Sequence, residues 1–465
     1  MENNNQYSEK EITEHSEEIK PKSSDKAVCE FFSFLRKKDP PIKDRKVPLF
    51  ALIISLILAV LITFMTTFAL LDRKYKSDYN DFIRQNMQSD YYTLETVKKY
   101  FAEYYIGDIS SLTEEEITDA LIRAYIYKTG DAYAYYWNQE EYELYSKQAN
   151  GDAVGIGILM GWDDKQQNIE VYLVYPDSPA DKAGIKSGDR IVAINGERVS
   201  EIGYDKAAEN SKGEKGTQLE VTVLRDGGEL EFTAVRDEFK TMSVFSNMLS
   251  DGKTALVRIL EFDATTVEQF AKQYLELKQK GAQHFVFDLR DNPGGQLDSV
   301  LGVLSFLLGD NVPVLEAADK SGEKVVTDTD RAYYCTDNYS SSVDMSFKHT
   351  GKTVILINEG TASAAELFTA AMHENNVDVI TVGKTTYGKG VMQRLYPLPN
   401  GGVVKITYST YTAPGVENYD VIGIAPDVEC DMSEETKNES ILILPEQEDD
   451  QLQRALEILY GQIIK

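Results

Sequence analysis

One stretch divides this chain before any motif is read. From Val47 to Leu71, in VPLFALIISLILAVLITFMTTFALL, 25 consecutive residues carry no charge. As a helix that run is about 37 Å long, against a hydrocarbon core of about 30 Å. It can cross a bilayer once with some tilt. A cleaved signal peptide competes, but its apolar core is usually about 7–15 residues, and no A-x-A site follows here. The sequence therefore predicts a transmembrane helix over 47–71. Arg36, Lys37, Lys38, Lys43, Arg45 and Lys46 crowd the near flank, whereas Arg73, Lys74 and Lys76 on the far flank are mixed with Asp72 and Asp78. The positive-inside rule then predicts a single-pass cell-membrane protein with a cytoplasmic N-terminus and everything after Leu71 outside.

That division locates the charge. The chain of 465 residues has 48 Lys/Arg against 76 Asp/Glu, a net charge of −28. Residues 1–46 hold ten of each sign with little apolar periodicity, and read as a neutral disordered tail. The whole excess falls on 72–465. A balance this acidic argues against nucleic-acid binding, which needs cations to displace counterions. It fits an acidic surface that keeps the protein soluble. With 4 His and no ligand-like spacing of acids, no metal site is expected, and no cofactor is implied. The 3 Cys cannot build a disulfide framework. Cys335 and Cys430, both outside under this topology, either pair or stay as free or buried thiols.

Residues 72–150 read as helical. Leu94, Val97, Tyr100, Phe101, Tyr104 and Tyr105 recur at helical spacing, and Thr113 followed by Glu116 predicts a capping box opening a helix through Thr129. The dense tyrosines from Tyr125 to Tyr145 read as core rather than as a ligand box. From Gly151 the pattern turns to short β runs at Val154–Met160, Ile169–Tyr175, Arg190–Asn195 and Leu219–Arg225. Gly155-Ile156-Gly157-Ile158, followed by SPADKAGIKSGDRIVAINGERV (Ser178–Val199), makes residues 151–237 resemble a PDZ domain. The resemblance implies that backbone N–H groups of the first run hold a peptide's terminal carboxylate while a strand edge pairs with the peptide. Residues 238–465 alternate: strand Thr254–Ile259, helix Thr266–Lys280, strand His284–Leu289, helix Leu297–Leu308, strand Val354–Ile357, helix Ala362–His373. Continuous apolar strands of this kind are buried and parallel, so an α/β core is expected.

The chemistry starts at Thr361-Ala362-Ser363-Ala364-Ala365-Glu366, directly after the strand ending at Ile357. A serine there stands beside the N-terminal N–H groups of a helix, where a developing anion is favoured. The same residue is also an ordinary helix cap. His373 is about 15 Å further along the same helix and cannot reach it. His284 begins a strand at the end away from such sites. His349 stays open as a base, and with it a Ser–His hydrolase. Lys389, between Gly388 and Gly390, is the alternative. It serves as a base only if burial keeps it neutral, and read alone it is more often a solvated loop lysine.

TASAAE (Thr361–Glu366), TTYGKGVMQ (Thr385–Gln393), DLRDNPGG (Asp288–Gly295) and GIAPDVE (Gly423–Glu429) together make residues 254–430 resemble the catalytic domain of the carboxy-terminal processing peptidases. The resemblance implies a serine endopeptidase with Ser363 as nucleophile, Lys389 as general base and Gln393 orienting the lysine. It also implies an oxyanion hole from Ala364 with Gly294 or Gly295. Substrates would be exported proteins or peptides with exposed C-termini, and a homodimer or a regulatory partner protein stays open. Ala365 stands where many members have a second serine. The Ser–Lys spacing is one residue long, which fits an insertion around Glu374–Asp378. The PDZ domain is expected to gate the site, with Arg225 as a candidate link between domains. A membrane-anchored PDZ binding module with an inactive peptidase domain would instead lack Ser363, Lys389, Gln393 or the NPGG turn. All four are present.

Overall fold

A computed structural model describes residues 49–87, 90–163, 166–335, 349–375, 378–437 and 439–461. The expected N-terminal tail and Cys29 lie outside them. The chain divides into two compact units, 1–111 and 112–465.

In the first unit a 39-residue helix, Leu49–Met87, precedes a second helix, Asp90–Tyr104. The first runs well past the expected end at Leu71, because 72–87 contain neither Gly nor Pro to stop it. Its segment Ile53–Lys76 has a mean hydropathy of 2.5 and is long and apolar enough to span a membrane. Leu56, Phe64 and Phe68 on it are all exposed. The Thr63 and Thr66 hydroxyls donate back to the carbonyls of Ala59 and Ile62, so these polar groups are satisfied within the helix.

The second unit opens with helix Glu114–Thr129 behind the expected capping box: Thr113 Oγ1 accepts from Glu116 N, and Glu116 Oε2 from Thr113 N. Gly130 ends it at φ 78°, the left-handed conformation a glycine adopts without strain. The all-helical expectation then fails. Tyr135–Trp137 is a strand, paired antiparallel with Val403–Thr412. A second capping box, Asn138 with Glu141, restarts the helix over Gln139–Ala149. The tyrosine-rich stretch also splits. Tyr136 and Trp137 are buried, whereas Tyr125 and Tyr127 are strongly exposed, at 75% and 80%.

The PDZ segment is a sheet in the order Ile158–Asp163, Asn168–Val174, Arg190–Ile194, Gln218–Arg225, Gly228–Val235. Ile169, Val171, Ile191, Leu219, Val221 and Val223 fill its core. The strand expected over Val154–Met160 breaks in two. Gly157 sits at φ 79°, and Asp152–Gly155 leaves to pair with Asp237–Lys240, tying the two ends of the domain together. Ile158–Asp163 is an edge strand, bonded among the described strands only to Asn168–Val174.

The last region is α/β, as expected. A six-stranded sheet runs Val244–Met248, Thr254–Ile259, His284–Asp288, Thr353–Ile357, Val379–Gly383, Val428–Glu429, with the first pair antiparallel and the rest parallel. Both faces are covered, which is why the middles of its central strands, Phe285–Phe287 and Val354–Ile357, are apolar without alternation. Val257, Phe285, Phe287 and Ile355 pack under helices Thr266–Gln279, Leu297–Leu308 and Ala364–Asn375. Leu256, Val286, Val354 and Leu356 pack against helix Asp450–Leu459. A second sheet joins Tyr135–Trp137, Val403–Thr412, Pro313–Asp319 and Lys324–Asp328, with Val391–Pro397 also on Val403–Thr412.

Candidate active site

Ser363 occupies the turn between buried strand Thr353–Ile357 and helix Ala364–Asn375. Its φ of 56° is left-handed, a conformation that costs a non-glycine residue about 1–2 kcal/mol. Something must hold it there, and Glu366 does. This fully buried carboxylate accepts from Ser363 N (2.8 Å), Thr386 Oγ1 (2.5 Å), Gly388 N (2.8 Å) and Lys389 N (2.8 Å). One side chain thus pins the serine turn and the lysine loop to each other. Glu366 stands in the TASAAE motif without an assigned role. The signal was present: serine followed three residues later by glutamate is the capping-box spacing. Nearby, the Tyr411 hydroxyl donates to the Lys389 carbonyl at 3.2 Å.

Lys389 lies in the loop before strand Val391–Pro397, with its ammonium 4.7 Å from the centre of the Tyr133 ring. Gly388 permits the turn. It sits at φ 85°, and a Cβ there would fall 2.7 Å from Gly423 N. Burial pushes the Lys389 ammonium below the ordinary lysine value, and Lys405 adds to the shift while Glu366 opposes it. A loop lysine in bulk water would show no such displacement.

The DLRDNPGG segment forms the facing wall. Asp288 and Arg290 are buried and paired at 2.7 Å, and Arg290 also bonds Asp449 and Gln451. Asn292 ties its amide nitrogen to the Ile259 carbonyl and its Oδ1 to Gly294 N, both at 2.8 Å. A Cβ on Gly294 would meet Ser363 Cβ at 2.7 Å and Ala364 N at 2.8 Å, so only glycine lets this loop approach the serine turn. Of the two glycines, Gly294 already donates its N–H to Asn292. Gly295 N and Ala364 N have no acceptor among the described residues.

Ser363, Ala364, Gly294, Gly295, Lys389 and Gln393 all line one cavity of about 990 Å³. Gln393 reaches it through a β-bulge opposite Thr407 and Ser409, a device that re-aims side chains. Its Nε2 donates to Thr407 Oγ1 at 3.2 Å, and its side chain makes no hydrogen bond to Lys389 among those described.

No described histidine lines this cavity. His349 is buried in the core, with Nδ1 on Tyr274 Oη and Nε2 on Thr353 Oγ1, both 2.6 Å. Burial, reinforced by Lys278, depresses it to about 4. His373 faces Asp427 at 3.2 Å. Among the described residues the Ser–His alternative therefore has no base in place.

Two further expectations meet the structure differently. Arg225 does not reach across to the peptidase region. It bonds Asp189 at 2.6 Å and the Gly184 carbonyl, and lies 5.3 Å from the Phe232 ring, all inside the PDZ fold. Cys335 and Cys430 are both free thiols, and burial pushes the Cys335 thiol up to about 11. In the PDZ loop, Ala180 N donates to the Ile156 carbonyl and Tyr175 N to the Gly157 carbonyl, which fixes Gly155-Ile156-Gly157-Ile158 at the head of the open edge strand.

Residues 253–430 match peptidase family S41, and residues 170–225 match the PDZ domain. The chain is 29% identical over 327 residues to the carboxy-terminal processing protease CtpA of Bacillus subtilis, covering 70% of this chain and 66% of that protein. It is 28% identical over 325 residues to the chloroplastic carboxyl-terminal-processing peptidase 3 of Arabidopsis thaliana, covering 66% of this chain and 59% of that one. It thus spans less than two thirds of the length of either relative. A solved structure from Bacteroides fragilis assigned to the S41 proteases shares the fold, with a TM-score of 0.54 and 17% identity over 77% of this chain and 93% of that one. Residues 253–430 thus form a peptidase family S41 domain, and a PDZ domain precedes it in the chain.

Proposed function

We propose that this protein is a membrane-anchored serine endopeptidase that cleaves exported proteins near their C-termini with a Ser363–Lys389 dyad. The observation that carries the reading is the buried Glu366 carboxylate bonded to the backbone N–H groups of both Ser363 and Lys389, in a cavity where the lysine is displaced toward its neutral form. Neutral Lys389 takes the Ser363 hydroxyl proton as Oγ attacks the scissile carbonyl. Ala364 N and Gly295 N receive the oxyanion. The Lys389 ammonium protonates the departing amine, leaving an acyl-serine. Neutral Lys389 then takes a proton from water, whose oxygen attacks the acyl carbon; the Lys389 ammonium returns that proton to Oγ as the acyl bond breaks, which frees the carboxylic-acid product and restores Ser363. Gln393, which makes no hydrogen bond to Lys389 among the described residues, offers it the side-chain oxygen that its bond to Thr407 leaves available. The carboxylate loop Gly155–Ile158 captures the substrate tail, which adds along the edge strand Ile158–Asp163. The apolar helix holds the unit at the membrane with the N-terminus cytoplasmic.

Purified full-length protein in detergent, incubated with a peptide ending in apolar residues and read by mass spectrometry, tests this. Cleavage is expected from the wild type. Ser363→Ala and Lys389→Ala should each lose at least about a thousandfold. Undiminished cleavage by either variant would refute the dyad.

A further inference from the structure

The cavity holds a second lysine, whose only part in the dyad mechanism is to help lower the Lys389 ammonium. Lys405 lies on strand Val403–Thr412, facing Leu395 on one neighbouring strand and Tyr135 on the other. It lines the same cavity as Ser363 and Lys389. Its ammonium lies 5.4 Å from the centre of the Trp137 ring and forms no ion pair among the described residues. The carboxylate that acts on it is that of Asp131, and this is already committed: its oxygens accept from Thr407 N, Thr407 Oγ1, Tyr133 N and Ala134 N. A half-buried ammonium beside aromatic rings, without a close counter-ion, is incompletely solvated. It gains most when a carboxylate arrives.

The wall around it suits such an arrival. Leu395, Tyr408 and Met392 line the cavity from the same two strands and offer apolar surface to a methylene stem. The cavity's carboxylates come from other elements: Asp152 from the strand that closes the PDZ domain, Glu261 and Asp263 from the segment after Thr254–Ile259, and Asp298 from helix Leu297–Leu308. Positive charge in the cavity is therefore confined to the lysine side. In a protein of net charge −28, that is an unusual place for a cation to be kept.

We propose that Lys405 is a specificity-determining residue, which selects a Glu or Asp side chain in the substrate segment that crosses the catalytic cavity. The inference rests on the peptidase reading and deepens it. The substrate's terminal carboxylate is assigned elsewhere, to the PDZ loop, so the group received at Lys405 is a side chain.

The test is a positional scan. Peptides carrying Glu or Gln at each position flanking the cleaved bond, with free or amidated C-termini, are offered to the full-length wild type, Lys405→Met and Lys405→Arg. In the wild type, Glu at one position should raise kcat/KM about tenfold over Gln, with either C-terminus. Lys405→Arg should keep the preference and Lys405→Met should abolish it. Equal Glu and Gln rates at every position would overturn the proposal. So would a preference that survives Lys405→Met, or one that vanishes on amidation and so belongs to the chain terminus. An equal loss on Glu and Gln peptides would also overturn it, whatever the pH profile, since Lys405 would then act through Lys389 alone. Failure of the wild type to cleave any peptide would instead overturn the peptidase reading.

Discussion

At the scale of single residues, the site depends on the state of one amine and the position of one carboxylate. Burial and Lys405 lower the Lys389 ammonium from its ordinary value, so its neutral form becomes available at lower pH. The base must be unprotonated, so kcat/KM should rise with pH through an apparent value below the ordinary lysine value of about 10.4. A stopped assay across pH 5–10 reads this. A limb centred at about 6.5 would point to an imidazole instead. Glu366→Gln would place an amide NH2 against two of the four donors that the carboxylate now receives. That should cost about 1–3 kcal/mol of stability by denaturant melts, and lower kcat more than it raises KM. Ser363 and Lys389 were legible because their motifs are contiguous. Glu366 was legible only as a capping residue, since nothing local says that its second partner is a loop 20 or more residues on. Lys405 was not legible at all, because it is one lysine in an alternating strand whose neighbours come from remote segments.

At the scale of elements, the sequence reading succeeded where periodicity and burial agree. The central strands were found as short apolar runs because both sheet faces are covered, and helix Leu297–Leu308 was found to the residue. It failed where pairing is long-range. Tyr135–Trp137 became a strand by bonding to Val403–Thr412, a partner that no local pattern announces. The PDZ strand broke at Gly157, where a positive φ redirects the chain. Caps lie at the readable end. Thr113→Ala should destabilise helix Glu114–Thr129 by about 1 kcal/mol, seen as faster amide exchange in its first turn with the peptidase core unaffected.

At the scale of the molecule, an acidic chain holds its fold partly through a buried charge cluster. Burial alone would raise the Asp288 carboxyl, but Arg290 and Arg258 prevail and hold it well below the usual carboxylate range. A carboxyl depressed in the folded state adds stability above its unfolded pKa of about 3.9, and loses it as pH falls toward the folded value. Thermal melts should therefore show little change from this group at neutral pH and a steep loss below about pH 4. Arg290→Met should cost about 3–5 kcal/mol, because Asp288 and Asp449 would stay buried without their shared partner. The same cluster anchors the start of helix Asp450–Leu459 beneath the sheet, so that loss should extend to the loop carrying Gly294 and Gly295.

The central claim is that Lys389 activates Ser363, and covalent labelling tests it without knowledge of the substrate. Full-length protein is incubated with a fluorophosphonate at a series of pH values, and the adduct is read by intact mass and peptide mapping. The account predicts a single adduct on Ser363, formed faster as pH rises. Lys389→Ala should be labelled at least about a hundredfold more slowly, and Ser363→Ala not at all. Labelling of Lys389→Ala at the wild-type rate, or an adduct on another residue, would contradict it.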